Sequence, residues 1–307
     1  MLRKLIRFYN RNVKKIWTVI IVLVFLFSVR NILNDFYKNR NAEIAKRNQN
    51  KVVKQDNYEK HSESLVSGKK VSENYQDKFG KLIDEFLKHC INHEPESAYT
   101  LLSNDCKSVF YQTEEIFQKK YYEKRFKGDK KYNFQSWTSD NEYVYLVKVF
   151  DNMLTTGKSS EKGYIEDYIT VVKEGEEYRL NVNAFINKKI RDKKVSISEG
   201  ISIKVKNSFI FMDYEIAEFE IINKSNNELV VDSKERTDSI YLLDDTNIKF
   251  EALTYENEES EFKVYPNEKK KIKIKYTNPY RDNKSVKKFI FDDVRVNGEV
   301  KKIEIEI

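Results

Sequence analysis

Two cysteines, three prolines, three histidines and eight glycines in 307 residues close off several kinds of chemistry before any motif is sought. Two cysteines exclude a disulfide-dense scaffold, and Cys90 and Cys106 are too far apart for a C-x-x-C zinc or redox arrangement. They are either one bridge or two free thiols. With Phe79, Leu82 and Phe86, Cys90 falls on the apolar side of a helical pattern, where a free cysteine behaves as a small core residue. No two glycines lie within five residues of each other, so no phosphate-cradling loop can be assembled, and neither G-x-G-x-x-G nor G-x-x-x-x-G-K-[ST] occurs. G-x-S-x-G and H-E-x-x-H are absent too. The sequence therefore supplies no residue to name as catalytic, none as a cofactor ligand and none as a metal ligand, and it points to a protein that is not an enzyme.

Long uncharged apolar runs are equally scarce. The single one is 16–29 (IWTVIIVLVFLFSV), which Ile32 and Leu33 extend to 16–33 if Arg30 snorkels to the headgroups. As a helix it would measure roughly 27 Å at about 1.5 Å per residue, nearly a bilayer core. Trp17, Ile20, Ile21, Leu23, Phe25, Leu26 and Phe27 would be its membrane-facing residues, with Trp17 at one interface and Phe36 and Tyr37 near the other. No small-residue cleavage site follows the run, which favours an uncleaved signal anchor over a secretory leader. Arg3, Lys4, Arg7, Arg11, Lys14 and Lys15 crowd the N-terminal flank with no acid among them. By the positive-inside rule residues 1–15 are cytoplasmic and the body, a single-pass protein's ectodomain, is extracytoplasmic.

The net charge of +7 does not indicate a nucleic-acid binder, because its distribution is uneven. Residues 1–55 carry 13 Lys or Arg against Asp35 and Glu43, whereas the remainder carries 43 against 47. Basicity belongs to the membrane segment, and the body shows interspersed Lys and Glu rather than a phosphate-matched stripe. Neither nucleic acid nor nucleotide is an expected partner.

Residues 34–72 are polar, aperiodic and read as a stalk or linker. Its stretch 39–72, 34 residues, would span about 30 Å if flexible. From Tyr75 the pattern changes. Tyr75, Phe79, Leu82, Ile83, Phe86, Leu87, Cys90 and Ile91 recur at three and four, an amphipathic helix. Pro95 marks a turn, Ala98, Leu101 and Leu102 a second helix, and Thr113 with Glu114 and Glu115 the cap and acidic first turn of a third, burying Ile116, Phe117 and Tyr121. Strands follow at 131–137, 142–150, 163–173 and 176–184. Helices followed by antiparallel strands predict an α+β domain over 73–192.

Within it, FLKHCINHEPESAYTLLSNDCK (86–107) and IFQKKYYEKRF (116–126) resemble the nuclear transport factor 2-like superfamily. The likeness is to bacterial envelope members, such as the non-catalytic N-terminal domains of some penicillin-binding proteins and the scaffold proteins of conjugation machinery. It implies a cone of helices against a curved sheet and a scaffold role with envelope protein partners, in its more specific form within a conjugation or secretion apparatus. Some superfamily members are isomerases or hydratases. The alternative it implies is a small-molecule pocket lined by Tyr99, Tyr121, Tyr143, Tyr145 and Tyr168 with Asp151 or Asp167.

Beyond Val195 the period is two almost throughout. Ile201, Ile203 and Val205 alternate with polar residues, as do Ile272, Ile274 and Tyr276, then Ile303, Ile305 and Ile307. Asn297–Gly298 between two such runs signals a two-residue hairpin. About eight short strands over 195–307 predict an immunoglobulin-like all-β sandwich. The junction 187–194 (NKKIRDKK) is a hinge or a packed corner.

Two weaker motifs complete the reading. His89 and His93 are four apart, near Cys90, Glu94 and Glu96, a spacing that can bring two imidazoles together, although a solvated helix end explains them better. Asn223-Lys-Ser225 and Asn283-Lys-Ser285 match the glycosylation pattern, which is fortuitous in a chain that looks bacterial.

Overall fold

Helix α1 (Glu73–Ile91) forms where apolar residues recur at three and four, and Phe79, Ile83, Phe86, Leu87 and Cys90 are all fully buried along that stripe. The computed structural model describes residues 64–65, 73–139, 141–152, 163–233 and 238–307. Helix α2 (Pro95–Thr100) starts on the proline, where the missing N–H costs nothing. Helix α3 (Asn104–Phe110) is capped by Ser103, whose hydroxyl accepts the Cys106 N–H at 2.9 Å. Thr113 caps α4 (Glu114–Phe117), which runs through a π-helical turn (Gln118–Tyr122) into α5 (Glu123–Phe126). The extra residue of that turn lets Phe117, Tyr121, Tyr122 and Phe126 all face inward.

Strands β1 (Lys130–Thr138), β2 (Tyr143–Asp151), β3 (Ile165–Glu174) and β4 (Glu177–Asn181) form an antiparallel sheet in sequence order. Tyr132, Phe134, Tyr145, Val147, Val149, Ile169, Val171 and Leu180 meet the helices in one core.

The chain continues as β5 (Phe185–Ser198), β6 (Ile201–Phe211), β7 (Glu215–Asn223), β8 (Leu229–Val230), β9 (Ile240–Asp244), β10 (Lys249–Glu251), β11 (Lys263–Val264), β12 (Lys269–Tyr276), β13 (Val286–Val296) and β14 (Glu299–Glu306). One sheet runs β12-β7-β6-β5; the other runs β10-β9-β13-β8-β11, with β14 on β13. Their inner faces share a second core. Phe219 of β7 stands edge-on to Phe289 and Phe291 of β13, with ring centroids 5.4 and 5.1 Å away. Asn297 and Gly298 both take positive φ (52° and 80°) in the β13–β14 hairpin. Placing a Cβ there, Gly298→Ala is expected to cost about 1–2 kcal/mol by thermal denaturation, through backbone strain alone, since no atom lies within 4 Å of that position.

Several expectations are corrected. The described residues are 49% strand and 23% helical, so the fold is mostly β and not the α+β class, with its cone-like domain, that the helical N-terminal pattern predicted. Among the described residues only α1 is long; the other helices there have seven residues or fewer. Strand β5 anchors Phe185 in the first core while Val195 and Ile197 pack on the second. The described residues belong to one compact unit. Among the described residues no helix is long and apolar enough to cross a membrane. The apolar segment 16–33, its flank Arg3–Lys15 and most of the linker lie outside the described residues.

Candidate functional site

Strand alternation on β3 turns Asp167, in phase with Ile169 and Val171, toward the helices. Its carboxylate is the one expected pocket acid that lies in the first core, and its side chain is only 4% exposed. Four donors reach it. Tyr121 Oη donates to Oδ2 at 2.7 Å and the Asn183 N–H at 3.1 Å; the Tyr168 and Ala184 N–H groups reach Oδ1 at 2.8 and 3.0 Å. Arg125 Nε stands 3.7 Å from Oδ2, its guanidinium lies 4.5 Å from the Tyr121 ring, and its Nη2 donates to Asn183 Oδ1 at 2.6 Å.

Asn183 and Ala184 both hold positive φ (63° and 58°), so their N–H groups converge as an anion-binding nest at the corner leading into β5. Asp167 ties the π-turn helix to this corner. Burial pushes its carboxyl above the usual range, against Arg125, Tyr121 and the backbone donors, which all pull it down. Burial and the Asp167 charge push the Tyr121 hydroxyl far up. Burial weakens the hold of Arg125 on its proton, but Asp167, Tyr121 and Tyr111 more than restore it. With each oxygen of Asp167 engaged twice, the group is fitted to hold a corner; a proton acceptor needs an oxygen open to substrate.

The other residues expected around a pocket do not converge on this pair. Tyr168, next to Asp167 on β3, points to the opposite sheet face and packs on Trp137 with centroids 5.3 Å apart. Tyr99 donates to the Tyr111 carbonyl at 2.8 Å, Tyr143 packs on Phe79 at 4.7 Å, Tyr145 packs on Phe134 at 6.2 Å, and Asp151 pairs with Lys130. Aromatic rings fill the space a pocket would need.

The histidines separate as well. His89 Nδ1 bonds Glu94 Oε2 at 2.6 Å, whereas His93 Nδ1 bonds Tyr122 Oη at 2.6 Å. Among the described residues no group of three His, Cys, Asp or Glu is placed to hold a metal. Cys90 and Cys106 are both free and buried. Burial raises both thiols, that of Cys106 to about 12. Ellman's reagent is therefore expected to find no reactive thiol in the native chain and two in denaturant; prompt native labelling would contradict the packing. Asn223 is buried, its amide donating to the carbonyls of Asn227, Val264 and Tyr265, so it is not open to glycosylation.

A second polar centre escaped the sequence reading. Glu215 of β7, its side chain 2% exposed, accepts from Asn278 Nδ2 at 2.9 Å and lies 3.6 Å from Arg191 Nη2. Arg191 Nε donates to Ser208 Oγ at 3.1 Å, and Arg281 pairs with Asp244 at 2.9 Å. Glu215, Arg191, Asn278, Asp244 and Arg281, with Lys189, Lys284 and Tyr280, line a cleft of about 30 Å³, room for about one water molecule. The available signal was phase: Glu215 falls on the inward positions of β7 with Ala217, Phe219 and Ile221. No protein-family model, no curated protein and no solved structure matches this chain.

Proposed function

We propose that the chain is a membrane-anchored, extracytoplasmic, non-catalytic binding protein of a bacterial envelope, held by residues 16–33 with residues 1–15 in the cytoplasm. The uncharged run 16–33 behind six basic residues supports the anchoring and its direction. One observation carries the non-catalytic part. Asp167 and Tyr121, the pair best suited to proton chemistry, are committed to the helix–corner junction by four hydrogen bonds and Arg125. A place in a conjugation or secretion apparatus is the more specific form that the resemblance of 86–126 favours, and other envelope proteins are the partners it implies.

Fractionation tests the anchoring. The full chain is expected to stay with membranes through carbonate extraction, with its C-terminal body cleaved by protease added to spheroplasts. Release by carbonate would contradict the anchor, and protection from protease would reverse the topology.

A further inference from the structure

The outward faces of the two sandwich sheets carry opposite charge. On the β12-β7-β6-β5 sheet, period-two strands hold Lys194, Lys204, Lys206, Lys269, Lys271 and Lys273 against Asp192, Glu218 and Glu220. Register sets Lys271 opposite Glu220, Glu220 opposite Lys204, and Lys204 opposite Lys194. The three carboxylates are already engaged. Glu220 pairs with Lys269 at 2.8 Å, Asp192 with Lys204 at 2.6 Å and Lys206 at 3.4 Å, and Glu218 accepts from Asn207 at 2.7 Å. Lys194, Lys271 and Lys273 are exposed and make no ion pair within 4 Å among the described residues, although register sets Lys271 opposite Glu220 and Lys273 opposite Glu218. On the opposite sheet Lys249 lies beside Asp238 and Glu251, Lys288 beside Glu304 and Glu306, and Lys302 beside Asp292 and Glu304, while Lys263 pairs with Glu259 alone among the described residues.

We infer that the lysine face of the β12-β7-β6-β5 sheet docks on anionic phospholipid headgroups, orienting the body on a bilayer. The inference rests on the anchoring proposed above. Composition favours lipid over a protein partner. Protein-binding hot spots draw on Trp, Tyr and Arg and are depleted of Lys, whereas this face presents lysines alone as its cations. Lysine keeps a hydrated, mobile point charge, which suits a fluid array of phosphates with no fixed geometry. Each cation near an anionic surface adds attraction, and salt screens it. The acid-rich opposite face supplies the repulsion that selects which side turns to the lipid. The linker predicted over 34–72 is long enough to permit that orientation.

The test is lysine acetylation footprinting of the full chain in nanodiscs of phosphatidylcholine alone or mixed with phosphatidylglycerol. Lys194, Lys271 and Lys273 are expected to label roughly threefold more slowly in the anionic discs at low salt, with recovery at high salt, while Lys249 and Lys302 do not change. Lys271→Glu with Lys273→Glu is expected to abolish the protection of Lys194. Equal labelling in both discs, or equal slowing of both lysine sets, overturns the inference and leaves the anchor intact. Protection that appears only on adding an acidic envelope protein also overturns it. Failure to enter either disc contradicts the anchoring reading itself, and the inference with it.

Discussion

Asp167→Ala is expected to lower the unfolding free energy by about 3–5 kcal/mol, because it strands a buried Arg125 and withdraws the carboxylate from Tyr121 and the Tyr168 and Asn183 N–H groups, leaving the Ala184 N–H only the Tyr168 carbonyl. Chemical denaturation followed by circular dichroism measures it. The two residues in positive φ make the effect larger than a lost ion pair, since the nest at Asn183 and Ala184 has no other anion to hold it. A cost below about 1 kcal/mol, the level of an exposed pair, would show that the corner is held by something else.

The acid also gives a pH signature with a definite sign. Burial holds the folded-state pKa of Asp167 above the unfolded value, so the folded chain binds that proton more tightly. Its contribution favours folding below the unfolded pKa and weakens as pH rises through the folded one. Asp244 runs the other way. Burial raises it, but hydrogen bonds from Ile248, Thr246 and Arg281 outweigh that and hold it low, so its contribution is lost as pH falls through the folded value. Comparing the parent with Asp167→Asn across the acid range isolates the first effect. The stability difference between them is expected to shift against the parent with rising pH.

Phe219→Ala should be comparably damaging, at about 3–5 kcal/mol. The side chain is fully buried between the two sandwich sheets, and its loss opens a cavity against Phe289 and Phe291 of β13. Phe219→Leu, which keeps much of the volume, is expected to recover more than half of the loss. If both variants are equally mild, the sheets do not share the core described.

Elements with a clean period were legible in the sequence. The α1 stripe and the alternation of β6, β7, β12 and β14 follow directly from where apolar residues recur. Asn297–Gly298 was legible because a two-residue turn needs positive φ at both positions and those residues tolerate it. Fold class was not. Counting helical patterns overweighted α2 to α5, which are single turns or little more, and the basic run 187–194 lies within β5, an edge strand. Lysines on an edge strand protect it from stray pairing, and they hide the strand period in doing so.

The candidate site shows the same division. Asp167 and Tyr121 were both singled out, but no periodicity says that the carboxylate would meet four donors. That depends on the αL conformation of Asn183 and Ala184, which neither residue type announces. Tyr168 and Asp167 cannot share a pocket because neighbours on a strand face opposite ways. The Arg191–Glu215 pair joins residues from different strands, where sequence distance carries no information, although the inward phase of Glu215 was visible.

The most direct test of the proposed role is crosslinking in intact cells, followed by affinity purification of the full chain from detergent-solubilised membranes beside a chain truncated after residue 72. A reproducible set of envelope proteins recovered with the full chain and lost on truncation is the predicted result. A full chain recovered alone, in the amounts and conditions where the truncated one is also alone, would contradict the binding role and redirect the search to small molecules.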